Sequence, residues 1–293
     1  MADHARSTTT GPRVSEKPPR ASAAMLARAA VPDALVPAIT RARTRRKLTS
    51  ETAVSKARAE MEFLIGAIRP GDVERATRAY VERDVMRSEL RYHPRLIGRQ
   101  PVTNLEALER ARATGRGVVL SFLHHGHYEG AMASLAWAGS PLGMLVSDDM
   151  LAPEAPTFLR QHIRVGRRDG NWTMPASSGM AGSKAVLERG EVLAVATDVP
   201  GRSPLTFLGA QRLGSSGAAR MALDTGALVV MLFARCAADG TLSIELSEPI
   251  EPGDFADPHQ LLLHLLAAHE APVLAWPEGY HQPRLRWGVP AEG

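Results

Sequence analysis

The segment Leu123-His124-His125-Gly126-His127-Tyr128-Glu129-Gly130 concentrates groups able to move a proton. An imidazole titrates near neutral pH, so His124 suits the role of general base toward a hydroxyl. Glu129 follows five residues later across a glycine-containing turn. That spacing predicts that its carboxylate folds back to the second ring nitrogen of His124, fixing the tautomer and stabilising the imidazolium formed when the proton is taken. Gly126, lacking a side chain, is expected to admit close approach of a substrate.

Two other chemistries compete for the same residues. His125, His127 and Glu129 partly imitate a metal-binding His-x-His-x-Asp-His pattern, but that pattern needs a histidine directly after the acid, and Gly130 stands there. The expectation is therefore no metal, with a metal-dependent hydrolase built on His124, His125 and His127 as the rival. Gly214-Ser215-Ser216-Gly217 lacks the Gly-x-Ser-x-Gly nucleophile elbow, and a helix N-cap explains both serines.

The histidines must be positioned by the elements around them. Gly117 to Leu123 is a short apolar run of the kind buried on both faces of a sheet. A helix near Tyr128 to Ala138 follows, so the histidines sit at a strand's carboxyl end, where open α/β sheets gather ligands. Further strands are expected at Gly143 to Ser147, Val192 to Thr197, Leu228 to Ala234 and Leu242 to Leu246. Helices are expected from an Asn104 cap to Gly115, around Ala155 to Val165, from Ala181 to Arg189, from Gly217 to Thr225 with Gly226 as its stop, and from Pro258 to Glu270. Strands interleaved with helices predict an α/β fold with a central mixed sheet flanked by helices.

Ahead of it, residues 23–100 form a helical lead-in, with Ala57, Met61, Leu64, Ile65 and Ile68 at helical spacing and breaks at Pro32 and at Pro70-Gly71. Residues 1–22, rich in Ser, Thr, Pro and charge, read as a disordered tail. The expected organisation is that tail and one domain over 23–293, whose α/β core spans 101–293.

The 293 residues are 44% hydrophobic and 23% charged, the balance of an ordinary globular domain with a sizeable core. Aromatics are only 5%, so Ala, Leu and Val must build that core. The net charge of +4 permits contact with an anionic surface. The basic run Arg41, Arg43, Arg45, Arg46 and Lys47 has no nucleic-acid-binding module beside it, so no nucleic acid is expected and an anionic membrane surface is the favoured partner. The single cysteine, Cys236, cannot form an internal disulfide, and no stretch is long and apolar enough to span a membrane. The expected location is cytoplasmic, possible contact being peripheral on the inner face of the cell membrane.

The chain resembles the lysophospholipid acyltransferase-like superfamily, in particular the branch of lipid A lauroyl and myristoyl acyltransferases and phosphatidylinositol mannoside acyltransferases. Its signature, a His followed by four residues and an acid, is similar to His124 to Glu129, and His124-His125-Gly126 resembles the mannoside form. Later blocks follow in the family's order: Leu187 to Val192, a strand ending in Asp198, Phe207-Leu208-Gly209, and Gly217 to Ala227 closing on Thr-Gly-Ala. The resemblance covers roughly Ala107 to Val230. It departs at Ala196-Thr197, where mannoside acyltransferases tend to carry a Glu.

The resemblance implies a glycerolipid acyltransferase-like fold, with acyl-CoA or acyl-carrier protein as co-substrate and a glycolipid, phospholipid or sugar-containing acceptor. No cofactor is implied. His124 would be the base, Glu129 its partner, and Asp198 a second acid near the dyad that positions acceptor or donor. Arg202 would clamp a phosphate, and Arg160 and Arg164, with Arg167 and Arg168, would meet phosphates or a carrier protein's acidic helix. Arg284, Arg286 and Trp287 are candidates to line the acceptor site. A catalytically inactive lipid-binding protein of the same fold is the remaining alternative.

Overall fold

The computed structural model describes residues 23–290. The expected tail over 1–22 lies outside them. The lead-in contains α1 (Ala23–Ala29), α2 (Val36–Leu48), α3 (Glu51–Ile65), α4 (Val73–Leu90) and the short α5 (Pro94–Ile97). Breaks fall at the two proline positions, and a third separates α2 from α3, where Ser50 Oγ accepts from Ala53 N at 3.4 Å and caps α3. Ala57, Met61, Leu64 and Ile65 are buried as their spacing predicts, whereas Ile68 lies beyond the helix end and is exposed.

The core alternates β1 (Val102–Thr103), α6 (Leu105–Ala113), β2 (Val118–Phe122), α7 (Tyr128–Trp137), β3 (Gly143–Val146), α8 (Thr157–Gly166), β4 (Trp172–Pro175), α9 (Gly179–Glu188) and β5 (Val192–Ala196). A hairpin of β6 (Pro200–Phe207) and β7 (Ala210–Gly214) follows, then α10 (Gly217–Thr225), β8 (Leu228–Cys236), β9 (Leu242–Leu246) and α11 (Pro258–Ala275). Seven strands form one mixed sheet in the order β1-β9-β8-β2-β5-β3-β4, with every neighbouring pair parallel except β8 and β9.

All five residues of β2 are buried, so both faces of the sheet are covered. Val119 joins a core shared with α3, α4, α9, α10 and α11, while Val118, Leu120 and Phe122 join the core under α6 and α7. The lead-in helices thus pack into the same apolar interior as one sheet face.

Several local details differ from the sequence reading. Asn104 precedes α6 with a positive φ of 62°, and its amide donates to Leu246 O and Glu248 Oε1 instead of capping the helix. Ser216 likewise makes no side-chain cap to α10, although Ser215 Oγ accepts from Gly217 N at 3.2 Å. α11 runs on through Pro272 to Ala275. An internal proline costs a helix about 3 kcal/mol, but Leu261, Leu262, Leu265, Leu266 and Val273 are all buried along its length, and each is worth about 1.5–3 kcal/mol. Burial wins.

Two parallel neighbours set the site. Phe122 pairs with Ala196 in the register of β2 and β5, and Thr197 N donates to Phe122 O at 2.9 Å. Two residues beyond each of those paired ends stand His124 and Asp198.

Candidate active site

Of residues 121–130, only His124 keeps appreciable exposure. Its Nδ1 lies 2.8 Å from Asp198 Oδ1, and its backbone N donates to Asp198 Oδ2 at 2.9 Å, so both carboxylate oxygens hold one residue. Beneath them Ser121 Oγ and Thr197 Oγ1 are 2.6 Å apart, tying the two strand ends together. Asp198 is fully buried; burial alone would raise its proton affinity, but His124 and Arg286 outweigh it and hold the carboxyl below its usual range. The Tyr280 hydroxyl also interacts with Asp198, without closing a well-formed hydrogen bond.

With an ionised Asp198 as acceptor, Nδ1 of His124 carries the proton and Nε2 is left with its lone pair. No described residue hydrogen-bonds Nε2. Burial lowers the proton affinity of the ring, Asp198 opposes that, and Arg286 adds to it, so the net direction is down from 6.5. The imidazole is neutral at pH 7, as a base must be at rest.

Glu129 does not make the contact expected of it. It lies on the first turn of α7, but its side chain, 1% exposed, points to Arg91 and His162: Arg91 Nε donates to Oε1 at 3.3 Å, and His162 Nδ1 stands 3.7 Å away. Burial would raise its proton affinity, yet His162 and Arg91 outweigh it and keep the carboxylate well below the usual range. The position of Asp198 explains the outcome: the adjacent strand already supplies an anion to Nδ1, and Arg91 at the C-terminus of α4 and His162 of α8 claim Glu129 from the other side.

The other two histidines of the loop, His125 and His127, do not converge with His124. His125 Nε2 must donate to Trp276 O, 2.8 Å away, and burial pushes the ring down to about 4. His127 is buried, its Nδ1 has no partner, and burial takes it down to about 3. Among the described residues no group of three His, Cys, Asp or Glu side chains is arranged to hold a metal ion.

Gly126 has φ of 67°, and an added Cβ would stand 2.5 Å from Ala234 Cβ and 3.2 Å from the Trp276 ring. Its missing side chain makes room for protein, not for substrate, contrary to the expectation. The loop is held from below by Arg87, which no sequence signal singled out. Its Nη2 donates to Gly126 O at 3.1 Å and Gly279 O at 2.7 Å, and its Nη1 lies 2.7 Å from His281 Nδ1.

Those contacts bring the C-terminal segment onto the histidine loop. His125 and Tyr280 form an isolated antiparallel bridge, Gly126 N donates to Gly279 O, and His281 N donates to His124 O at 2.7 Å. The Pro277-Glu278-Gly279 block, distant in sequence, is therefore part of the site's framework.

His124, Tyr128, Glu129, Arg91, His162 and Arg286 face a cavity of about 640 Å³, in the size range of small-ligand sites. Met132, Met144, Leu145, Val146, Leu159 and Ile163 give the same cavity an apolar lining. The Tyr128 ring meets the His124 ring edge-on with centroids 4.8 Å apart, and burial lifts its hydroxyl to about 12, so it stays a neutral donor. Of the arginines expected at the site, Arg164 lines a separate cavity beside Tyr92. Arg202 is exposed on β6 of the hairpin, and Arg160 reaches only Thr157 Oγ1 at 3.4 Å. Arg160, Arg164 and Arg202 are not in the wall around His124, whereas Arg286 is: α8 presents Phe158, Leu159, His162 and Ile163 to the cavity, and β6 belongs to the separate two-stranded ribbon. Arg91, Tyr128 and His162 are the wall residues that the sequence reading missed; the apolar periodicity around them gave no sign of polar convergence. Trp287 is buried against Phe207, outside the wall.

The family model of bacterial lipid A biosynthesis acyltransferases matches residues 42–287. Among solved structures, the chain is similar to the 1-acyl-sn-glycerophosphate (LPA) acyltransferase PlsC from Thermotoga maritima, at 13% identity over 80% of this chain and 98% of that one, with a TM-score of 0.42. No curated protein sequence matches.

Proposed function

Because the chain belongs to the bacterial lipid A biosynthesis acyltransferase family, we propose that it moves a fatty acyl group from an acyl-CoA or acyl-carrier-protein thioester to a hydroxyl of a glycolipid, phospholipid or sugar-containing acceptor. The observation that carries this reading is the His124–Asp198 pair, with Nδ1 bound at 2.8 Å and the ring lining a cavity that has both polar and apolar residues in its wall.

The transfer is direct. His124 Nε2 takes the proton of the acceptor hydroxyl as its oxygen attacks the thioester carbonyl. Asp198 stays ionised and stabilises the imidazolium through Nδ1–H. The tetrahedral intermediate collapses with loss of the C–S bond, and the imidazolium returns its proton to the departing thiolate. The apolar wall takes the acyl chain, whose burial is worth about 0.8 kcal/mol per methylene. Glu129 serves as a positioning residue that fixes Arg91 and His162 in the wall, a role different from the base's partner.

No described helix is long and apolar enough to cross a membrane. On α2, Arg43 and Lys47 are engaged by Glu89 and Asp84 of α4, while Arg41, Arg45 and Arg46 are exposed. Those three would give peripheral contact with anionic lipid on the cytoplasmic face.

The reading is tested by mass spectrometry of purified protein incubated with palmitoyl-CoA or palmitoyl-acyl-carrier protein and a panel of lysophospholipid, phosphatidylinositol mannoside and lipid A precursor acceptors. An acylated product supports it. Ligand binding with no product from any pairing contradicts it and favours an inactive lipid-binding protein.

A further inference from the structure

The proposed base works beside a cation that is not hydrogen-bonded to the dyad. Two arginines line the cavity. Arg91 is ion-paired to Glu129, whereas Arg286 makes no close ion pair with a carboxylate among the described residues and acts on Asp198 only at longer range. Its Nε donates to His281 O at 3.1 Å, which leaves both terminal nitrogens without a described partner. The same His281 donates its backbone N to His124 O at 2.7 Å, so one residue is hydrogen-bonded to both Arg286 and the base.

The segment carrying Arg286 is firmly held. Gln282 N donates to the Tyr80 hydroxyl, Arg284 N donates to Glu60 Oε2 at 3.0 Å, and Gly288 pairs with Leu213. Trp287 is 3% exposed and packs on Phe207 with ring centroids 5.1 Å apart. Such anchoring preorganises the charge, which is what electrostatic stabilisation of a transition state requires.

We infer that Arg286 is a catalytic residue whose free guanidinium fork, carried into the His124 cavity by the C-terminal segment, stabilises the oxyanion formed when the acceptor oxygen adds to the thioester carbonyl. The inference rests on the acyl-transfer reading of the site. In the step concerned, the acceptor O–H proton goes to His124 Nε2, the O–C bond forms, and the carbonyl π pair becomes the oxyanion beside Arg286; collapse restores the carbonyl and expels the thiolate.

The electrostatics of the site point the same way. His124 is faced by Asp198, Arg286, His162 and Tyr128. After burial, Arg286 is the largest influence opposing a charge on the ring. A cation beside a base penalises proton uptake unless a negative charge appears in the cavity at the same moment, and the tetrahedral intermediate supplies that charge. The interaction is therefore stronger in the transition state than in the resting enzyme. A donor phosphate is a poor alternative, because in acyl-CoA the phosphates lie a pantetheine arm away from the reacting carbonyl.

The test uses the full chain and thiol release from palmitoyl-CoA and from palmitoyl-N-acetylcysteamine, which carries no phosphate, with water or the best hydroxyl of the panel as acceptor. Arg286→Gln is expected to lower kcat by about 10²–10³-fold for both donors, with little change in either KM, and to move the acid limb of kcat/KM to higher pH. Arg286→Lys should recover part of the rate and leave the acid limb near its original place, and it serves as the informative variant if Arg286→Gln melts at a lower temperature. A rise in KM for palmitoyl-CoA alone, or for the acceptor alone, with kcat intact would overturn the proposal in favour of a substrate clamp. Wild-type thiol release that Arg286→Gln leaves unchanged removes this inference alone, whereas no release by the wild type removes the acyl-transfer reading with it.

Discussion

His124 and Asp198, 74 positions apart, meet at 2.8 Å because their strands are parallel neighbours that end in register. The imidazole is held twice, through Nδ1 and through its own backbone N–H, so its orientation is set by the sheet rather than by a flexible turn. An anion supplied by the next strand leaves the second ring nitrogen facing the cavity.

Asp198→Asn removes the charge that stabilises the imidazolium and permits the wrong tautomer. Steady-state kinetics should show kcat down by about 10²–10⁴-fold, with far-UV circular dichroism unchanged. A variant within threefold of wild type would mean that Asp198 only shapes the loop.

The pH profile follows from the direction of the His124 shift. Its proton affinity is lowered from 6.5, so the free enzyme's kcat/KM should stay level from pH 7 down through 6.5 and fall only on the acid side of that value. An acid limb centred above 6.5 would contradict the buried, Arg286-flanked environment.

Much of the fold was legible because the strands are short apolar runs and the helices carry periodic faces: β2, β5, β8, β9 and α7 all fall within a few residues of their expected bounds. The hairpin was not among the expected strands. Its turn puts Leu208 at φ 50° and Gly209 at φ 74°, and a leucine in the left-handed region gives no turn signal. The strands β1 and β4 are two and four residues long and carry little pattern. At the site, His124 was legible from residue type and place. Its partner was not, because strand adjacency is a long-range fact, whereas the spacing of His124 and Glu129 is a local one that Arg91 and His162 override.

Glu129→Gln tests that reassignment by stability. Breaking one side of a buried ion pair costs about 3–5 kcal/mol, so chemical denaturation at pH 7 should show a loss of that order. Glu129 has a folded proton affinity below its usual value, so its contribution is fully present above about pH 4.5 and is lost as pH falls toward the folded value. The difference between wild type and variant should therefore shrink below pH 4.5. A variant as stable as wild type at pH 7 would remove the structural role of the Arg91–Glu129–His162 cluster.

The most direct measurement is product formation by wild type and His124→Ala with palmitoyl-CoA and the same acceptor, followed by mass spectrometry. The account predicts acylated product from the wild type and a rate at least about 10²-fold lower from the variant, with donor binding retained. Equal product from both would show that His124 is not the base and that the cavity it faces is not where the acyl group is moved.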